Sequence, residues 1–199
     1  MNLRRFRNAL SPRQCREIEH AWIEAARLGR PLNRMVTVRP LGDLSPVDHA
    51  RLVDRFWNKL GGWSRYHGDG FYCVLVREKE QGGPEHFHVL VHVPPRKTDL
   101  FARIVWGWFD QIDDIHIRSA TQHTFPLRVP GKLGSALGYI TKQRTPQAAY
   151  RTTFLRRRGD PVLGKRYRIT RNLLPHRAMA MSPVASEIGT KVTKVTAAA

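Results

Sequence analysis

The sequence predicts an α+β fold in which a central antiparallel β-sheet is flanked by helices and followed by a basic C-terminal tail. Three observations predict it. Two β-rich runs, FYCVLVREKE at 71–80 and HFHVLVHV at 86–93, lie on either side of a QGGP turn signal and so form an antiparallel hairpin. Four other stretches carry apolar residues at helical spacing. The resulting order, α-β-α-β-β-α-β-α, is that of helices packed on an antiparallel sheet.

Each element has a local reason. Ser11 followed by Pro12 starts a helix over 13–28, with Ile18, Trp22 and Ala25 or Ala26 on one side. MVTVR at 35–39 is a short strand stopped by Pro40. A helix runs over 46–60 and ends at Gly61 and Gly62. After the hairpin, Leu100, Ile104, Val105 and Trp108 mark a helix over about 98–112, and DIHIRS at 114–119 marks a strand. KLGSALGYITKQR at 132–144 reads as the last helix, and GKRYRITRNL as either a strand or an arm on nucleic acid. The expected organisation is an N-terminal helical extension over 1–33, one domain over 34–175 and a disordered tail over 176–199, which has little to bury.

The formal charge of +18, from 34 Lys and Arg against 16 Asp and Glu, makes nucleic acid the first partner to consider. From Arg151 onward there are eleven Lys and Arg against two acids. No run approaches the roughly 20 apolar residues of a spanning helix, which excludes membrane insertion. MNLRRFRNALSP lacks the apolar core of a secretory signal, and Cys15 and Cys73 form neither a zinc pattern nor a disulfide framework. A reduced, cytoplasmic protein is expected.

His86 and His88, one residue apart in a strand, project from the same face and can converge on one cation. His92 shares that face but lies about 13 Å along the strand from His88. A third ligand should come from the neighbouring strand, where Glu78 and Glu80 share a face. With a turn over 81–85, Glu78 falls opposite His88 and Glu80 opposite His86; a four-residue turn would put both glutamates on the other face. Glu78 is preferred and Glu80 is its competitor. Imidazoles with a carboxylate suit a divalent metal, Mg²⁺ or Mn²⁺ among them. Alone, an HxH pair on a half-exposed strand is more often two polar surface residues than a metal site.

On the last helix, Leu133, Ala136, Leu137 and Ile140 form the apolar stripe, placing Ser135, Tyr139 and Lys142 on the opposite side. Gly134 and Gly138 keep the surface near Tyr139 low. A cation one turn from the phenol favours the phenolate nucleophile and can hold a phosphate oxygen. Alone, this pair also fits a surface tyrosine beside a solvated lysine.

Taken in order, MVTVRP, then EKEQGGPEHFHVLV, then YITK resemble the HUH endonucleases, and among them the single-tyrosine rolling-circle replication initiators of plasmids and single-stranded DNA phages and viruses. The resemblance covers roughly 34–145. It implies a ferredoxin- or RRM-like HUH domain, His86, His88 and Glu78 as metal ligands, and Tyr139 with Lys142 as the catalytic pair. It further implies nicking and rejoining of single-stranded or hairpin DNA at a replication origin through a 5′-phosphotyrosyl link, with strands separated by a host helicase. Arg144, Arg151, Arg156, Arg157 and Arg158 would hold the DNA backbone. A transposase or relaxase with the same chemistry, a non-catalytic nucleic-acid-binding module and a structural metalloprotein are the alternatives.

Overall fold

A computed structural model describes residues 6–7, 9–42, 44–67, 70–109, 112–120, 125–126, 133–134, 136–146 and 159–174. Its architecture is α+β. Five strands, β2 (Arg34–Pro40), β3 (Cys73–Lys79), β4 (Glu85–Val91), β5 (Ile112–Ser119) and β9 (Tyr167–Ile169), form one sheet in the order β5-β2-β4-β3-β9. Every pairing in it is antiparallel. Two short pairs lie outside it: β1 (Phe6–Arg7) with β8 (Val162–Leu163), and β6 (Phe125–Pro126) with β7 (Leu133–Gly134). The expected tail over 176–199 lies outside the described residues.

Strand alternation splits the sheet into two dissimilar faces. Val36, Val38, Cys73, Leu75, Phe87, Val89 and Val91 point one way, into a core closed by Val53, Phe56, Leu60 and Trp63 of α2 (Pro46–His67) and by Phe101 and Val105 of α3 (Thr98–Trp106). Met35, Val74, Val76 and Leu90 point the other way. They meet Ile18, Ala21 and Ala25 of α1 (Pro12–Arg27) and Ala136 and Ile140 of α4 (Ala136–Ile140). Burial on both faces explains the nearly continuous apolar runs in β3 and β4.

Ser11 caps α1 as the sequence predicts, through a reciprocal pair with Gln14. The Ser11 hydroxyl accepts from the Gln14 amide N–H at 3.3 Å, and the Gln14 side chain accepts from the Ser11 N–H at 2.8 Å. The second helix overruns its expected end. Gly61 and Gly62 lie inside α2 because Trp63, one turn beyond Leu60, buries its ring against Phe101 at a centroid distance of 4.7 Å. A Cβ on Gly61 would come within 3.2 Å of the Phe71 ring, so this glycine serves close packing rather than termination. α3 stops at Trp106, earlier than expected, and Trp108 folds back edge-on to Phe56 at 5.2 Å.

The largest difference concerns the helix expected over 132–144. Leu133–Gly134 is strand β7, and the helix proper covers only Ala136–Ile140. Beyond it the chain turns and then extends. Arg144 pairs with Leu10 in a parallel bridge, with Leu10 N donating to Gln143 O at 3.0 Å and Thr145 N donating to Leu10 O at 2.8 Å. Of the two readings of GKRYRITRNL, the strand holds for Tyr167–Ile169, which edges the sheet beside β3. No helix among the described residues is long and apolar enough to cross a membrane.

Candidate metal centre

On the α1/α4 face of the sheet, buried polar side chains gather where β3 and β4 meet near the hairpin turn. There the alternation that sends Phe87 and Val89 into one core sends His86 and His88 to the other side. The hairpin turn covers 80–84, so Glu78 lies opposite His86 and Val76 opposite His88. This corrects the expected pairing of Glu78 with His88. Gly82, at φ +68°, and a Gly83 N–H to Glu80 O hydrogen bond of 3.0 Å close the loop one residue earlier in the chain than expected, which moves the partner of Glu78 by two. The loop still has five residues, so Glu78 keeps the correct face. Glu80, the competitor, falls in the turn and is exposed.

Glu78 is fully buried, His88 is 1% exposed and His86 is 8% exposed. Glu78 Oε2 lies 3.2 Å from His88 Nε2 and 3.5 Å from His86 Nε2. One ligand atom from each of the three residues lies within 4.8 Å of the others, a cluster that could hold a metal ion. Two features fit a divalent cation. Two imidazole nitrogens and a carboxylate are a donor set used by such ions, and the second carboxylate oxygen, Oε1, is buried without a hydrogen-bond partner. An orphaned buried acceptor is costly unless a cation or donor reaches it. His92 belongs elsewhere, with Nδ1 2.9 Å from the carbonyl of Pro31.

Tyr139 and Lys142 do not face away from the core, as helical spacing over 132–144 led one to expect. Tyr139 is half-buried, its ring edge-on to that of His88 at 5.1 Å between centroids. The reason is spacing: Tyr139 lies three residues after Ala136 and one before Ile140, both core residues, at the margin of the buried stripe. Lys142 lies past the helix end, in a turn closed by Lys142 N donating to Tyr139 O at 3.3 Å and by the Thr141 hydroxyl donating to Leu137 O at 2.9 Å. That turn sends the Lys142 side chain inward. It is 3% exposed, its ammonium ion-pairs with Glu78 Oε2, and its Nζ lies 3.8 Å from the centre of the Tyr139 ring.

Arg144, expected to contact a DNA backbone, is buried at 1% exposure and donates to Thr141 O at 3.0 Å. The bridge between its own backbone and Leu10 holds it inside. Arg151, Arg156, Arg157 and Arg158 lie outside the described residues, as does Ser135.

Sequence reading missed two supporting residues. Thr37, on β2 directly across from His88, places Oγ1 2.8 Å from His88 Nδ1. With Nδ1 donating to that hydroxyl, the Nε2 lone pair can face a cation in the cluster; with the hydroxyl donating to Nδ1, Nε2–H donates to Glu78. The signal was a lone polar residue within the apolar strand MVTV, on a strand whose neighbours the sequence does not name. Gln143 is the second. Its amide donates to Lys79 O at 3.0 Å, and its carbonyl accepts from Arg166 Nη1 at 2.8 Å. It thereby ties the turn carrying Lys142 to the strand carrying Glu78. Thr37→Val is expected to weaken divalent-ion binding about tenfold or more while leaving the fold intact, measured by Mn²⁺ titration.

Burial and partner charges together set the charge in the cluster. Burial pushes His88 down from its ordinary 6.5 to about 4, against the pull of Glu78. Burial also disfavours the Glu78 carboxylate, but the charge of His88, hydrogen bonds with both imidazoles and the Lys142 ammonium outweigh it and hold the group well below the usual range. At neutral pH His88 is uncharged, and the Lys142 side chain pairs with Glu78 Oε2. Both shifts have the same consequence. The unfolded chain takes up protons more readily than the fold, so stability is lost as pH falls, from about 6.5 towards 4 through His88 and below about 4.5 through Glu78. Melting temperatures in EDTA should therefore drop steadily from pH 7 to pH 5, and His88→Gln should flatten that slope.

No family model, curated protein or solved structure matches the chain.

Proposed function

We propose that the protein is a metal-dependent DNA endonuclease and strand transferase of the HUH type, initiating rolling-circle replication of a plasmid or phage-like element. One observation carries this reading: the ring of Tyr139 lies against His88, so a phenol stands beside the imidazole–carboxylate cluster. A +18 chain suits a polyanionic substrate. The order of MVTVRP, EHFHV and YITK supports the assignment to this family.

In the proposed reaction Tyr139 gives up its phenolic proton to solvent, and its oxygen attacks a backbone phosphorus. The P–O3′ bond breaks, the 3′-oxygen takes up a proton, and the 5′-phosphate remains linked to Tyr139. Reversal by another 3′-hydroxyl rejoins the strand without ATP, because the phosphodiester bond energy is retained. A divalent ion such as Mg²⁺ or Mn²⁺, held by His86, His88 and Glu78, would neutralise charge on the scissile phosphate. Thr37 would accept the Nδ1 proton of His88 when Nε2 holds the ion. Lys142 supplies positive charge beside Tyr139. Arg151, Arg156, Arg157 and Arg158 hold the substrate backbone. Single-stranded or hairpin DNA is the substrate, since a phosphate in a regular duplex is poorly placed for a half-buried phenol, and a host helicase supplies further single strand.

A second reading has a specific observation in its favour. The Lys142–Glu78 ion pair would satisfy the carboxylate in a non-catalytic nucleic-acid-binding module. Labelled single-stranded and hairpin oligonucleotides separate the two. With Mn²⁺, the nuclease reading expects an EDTA-sensitive protein–DNA adduct that survives denaturing electrophoresis. Binding without an adduct supports the module.

A further inference from the structure

We infer that the Lys142 ammonium and a divalent ion compete for one locus, so that Lys142 must leave Glu78 for the metal to be held. This inference rests on the proposed metal site. It concerns a group whose role in the reading above was limited to the nucleophile.

The geometry has a single focus. Glu78 Oε2 is reached by His88 Nε2 at 3.2 Å, by His86 Nε2 at 3.5 Å and by the Lys142 ammonium. Lys142 Nζ is also 3.5 Å from His88 Nε2. The ammonium therefore lies where the ligand atoms converge, on the same carboxylate oxygen and beside the same imidazole nitrogen that a metal would use. An ammonium carries three donors and no acceptor, so it can contribute nothing as a metal ligand. Two cations within a few ångströms in a buried site repel strongly.

Movement of Lys142 does not require the backbone to follow. Gln143 pins the turn to β3 through Lys79 and Arg166, whereas the lysine stem has four rotatable bonds. The nearest other electron-rich surface is the Tyr139 ring, 3.8 Å from Nζ. An ammonium leaving Glu78 is thus already beside the phenol. Metal uptake and release of Lys142 from Glu78 become one event, and Lys142, beside the Tyr139 ring throughout, acts as a positioning residue whose charge is offset by Glu78 until the ion is taken up.

Mn²⁺ affinity measured calorimetrically on the full chain tests this, with Lys142→Met as the variant. The neutral isostere is expected to bind Mn²⁺ about tenfold more tightly than the native chain, and to gain more in melting temperature on Mn²⁺ addition. Adding His86→Ala to Lys142→Met should abolish that binding. Equal or weaker affinity in Lys142→Met, with His86-dependent binding in the native chain, overturns the competition and leaves the metal site standing. Binding to neither chain overturns both. Should Lys142→Met not fold, the native chain carries the test alone. The NMR signal of the Lys142 Cε should shift when Mg²⁺ saturates the site, and an unmoved signal at saturation overturns the proposal.

Discussion

Tyr139→Phe is expected to abolish the covalent DNA adduct and to lower nicking by at least about 10⁴-fold, the scale on which removing a nucleophile acts. Binding of single-stranded DNA should change by no more than about fivefold, since one hydroxyl in a half-buried ring is worth only about 1 kcal/mol. The fold should tolerate the change because the phenylalanine ring keeps both neighbours of the tyrosine, the edge of His88 and the ammonium of Lys142. Adduct formation on a denaturing gel, cleavage rate and melting temperature would be compared in one preparation. The three readouts discriminate between mechanisms. A hydrolase using an activated water would keep cleaving after Tyr139→Phe and would never show an adduct. An adduct persisting in the variant would move the nucleophile to another residue and remove Tyr139 from the reaction.

The sheet-borne half of the site was legible because strand periodicity is rigid. Side chains alternate with period two whatever the loop does, so His86 and His88 had to share a face, and any odd-numbered loop had to bring Glu78 to that face. What parity leaves open is the partner across the ladder. Closure of the turn at Glu80 by Gly82 and Gly83 paired Glu78 with His86 instead of His88. The helix-borne half was less legible. Projecting one uninterrupted helix over 132–144 sent Tyr139 and Lys142 outward, but the helix lasts five residues and the following turn reverses Lys142. Nothing local to KLGSALGYITKQR signals that stop. The segment around Leu10 supplies it by bridging Arg144 from more than a hundred residues away, and it also removes Arg144 from any substrate surface. Gly61 and Gly62 misled in the opposite sense, since packing of Trp63 on Phe101 outweighs their poor helix propensity of about 1 kcal/mol each. Thr37 shows the same limit: its pairing with His88 is a fact of strand order, set by contacts distant in sequence.

Glu78→Gln should have the largest effect on stability, because three charged or polar groups depend on one carboxylate oxygen. Glu78 is fully buried and Lys142 nearly so. Neutralising the acid leaves the ammonium in the interior without its counter-charge, and breaking a buried pair from one side costs about 3–5 kcal/mol. Urea unfolding at pH 7 in EDTA should register that loss, and Mn²⁺ should fail to restore it, since the carboxylate ligand is gone. A double substitution separates the two roles of the residue. Removing both charges of a buried pair is often close to neutral, so Glu78→Gln with Lys142→Met should recover most of the stability that Glu78→Gln loses. Mn²⁺ binding should stay lost in the double variant, while Lys142→Met alone keeps it. If the double variant were stable and still bound the ion, Glu78 would be a structural counter-charge only, and the two imidazoles would need a different third ligand. If Glu78→Gln alone were as stable as the native chain, Lys142 would have found another partner, and the buried pair would not contribute to stability.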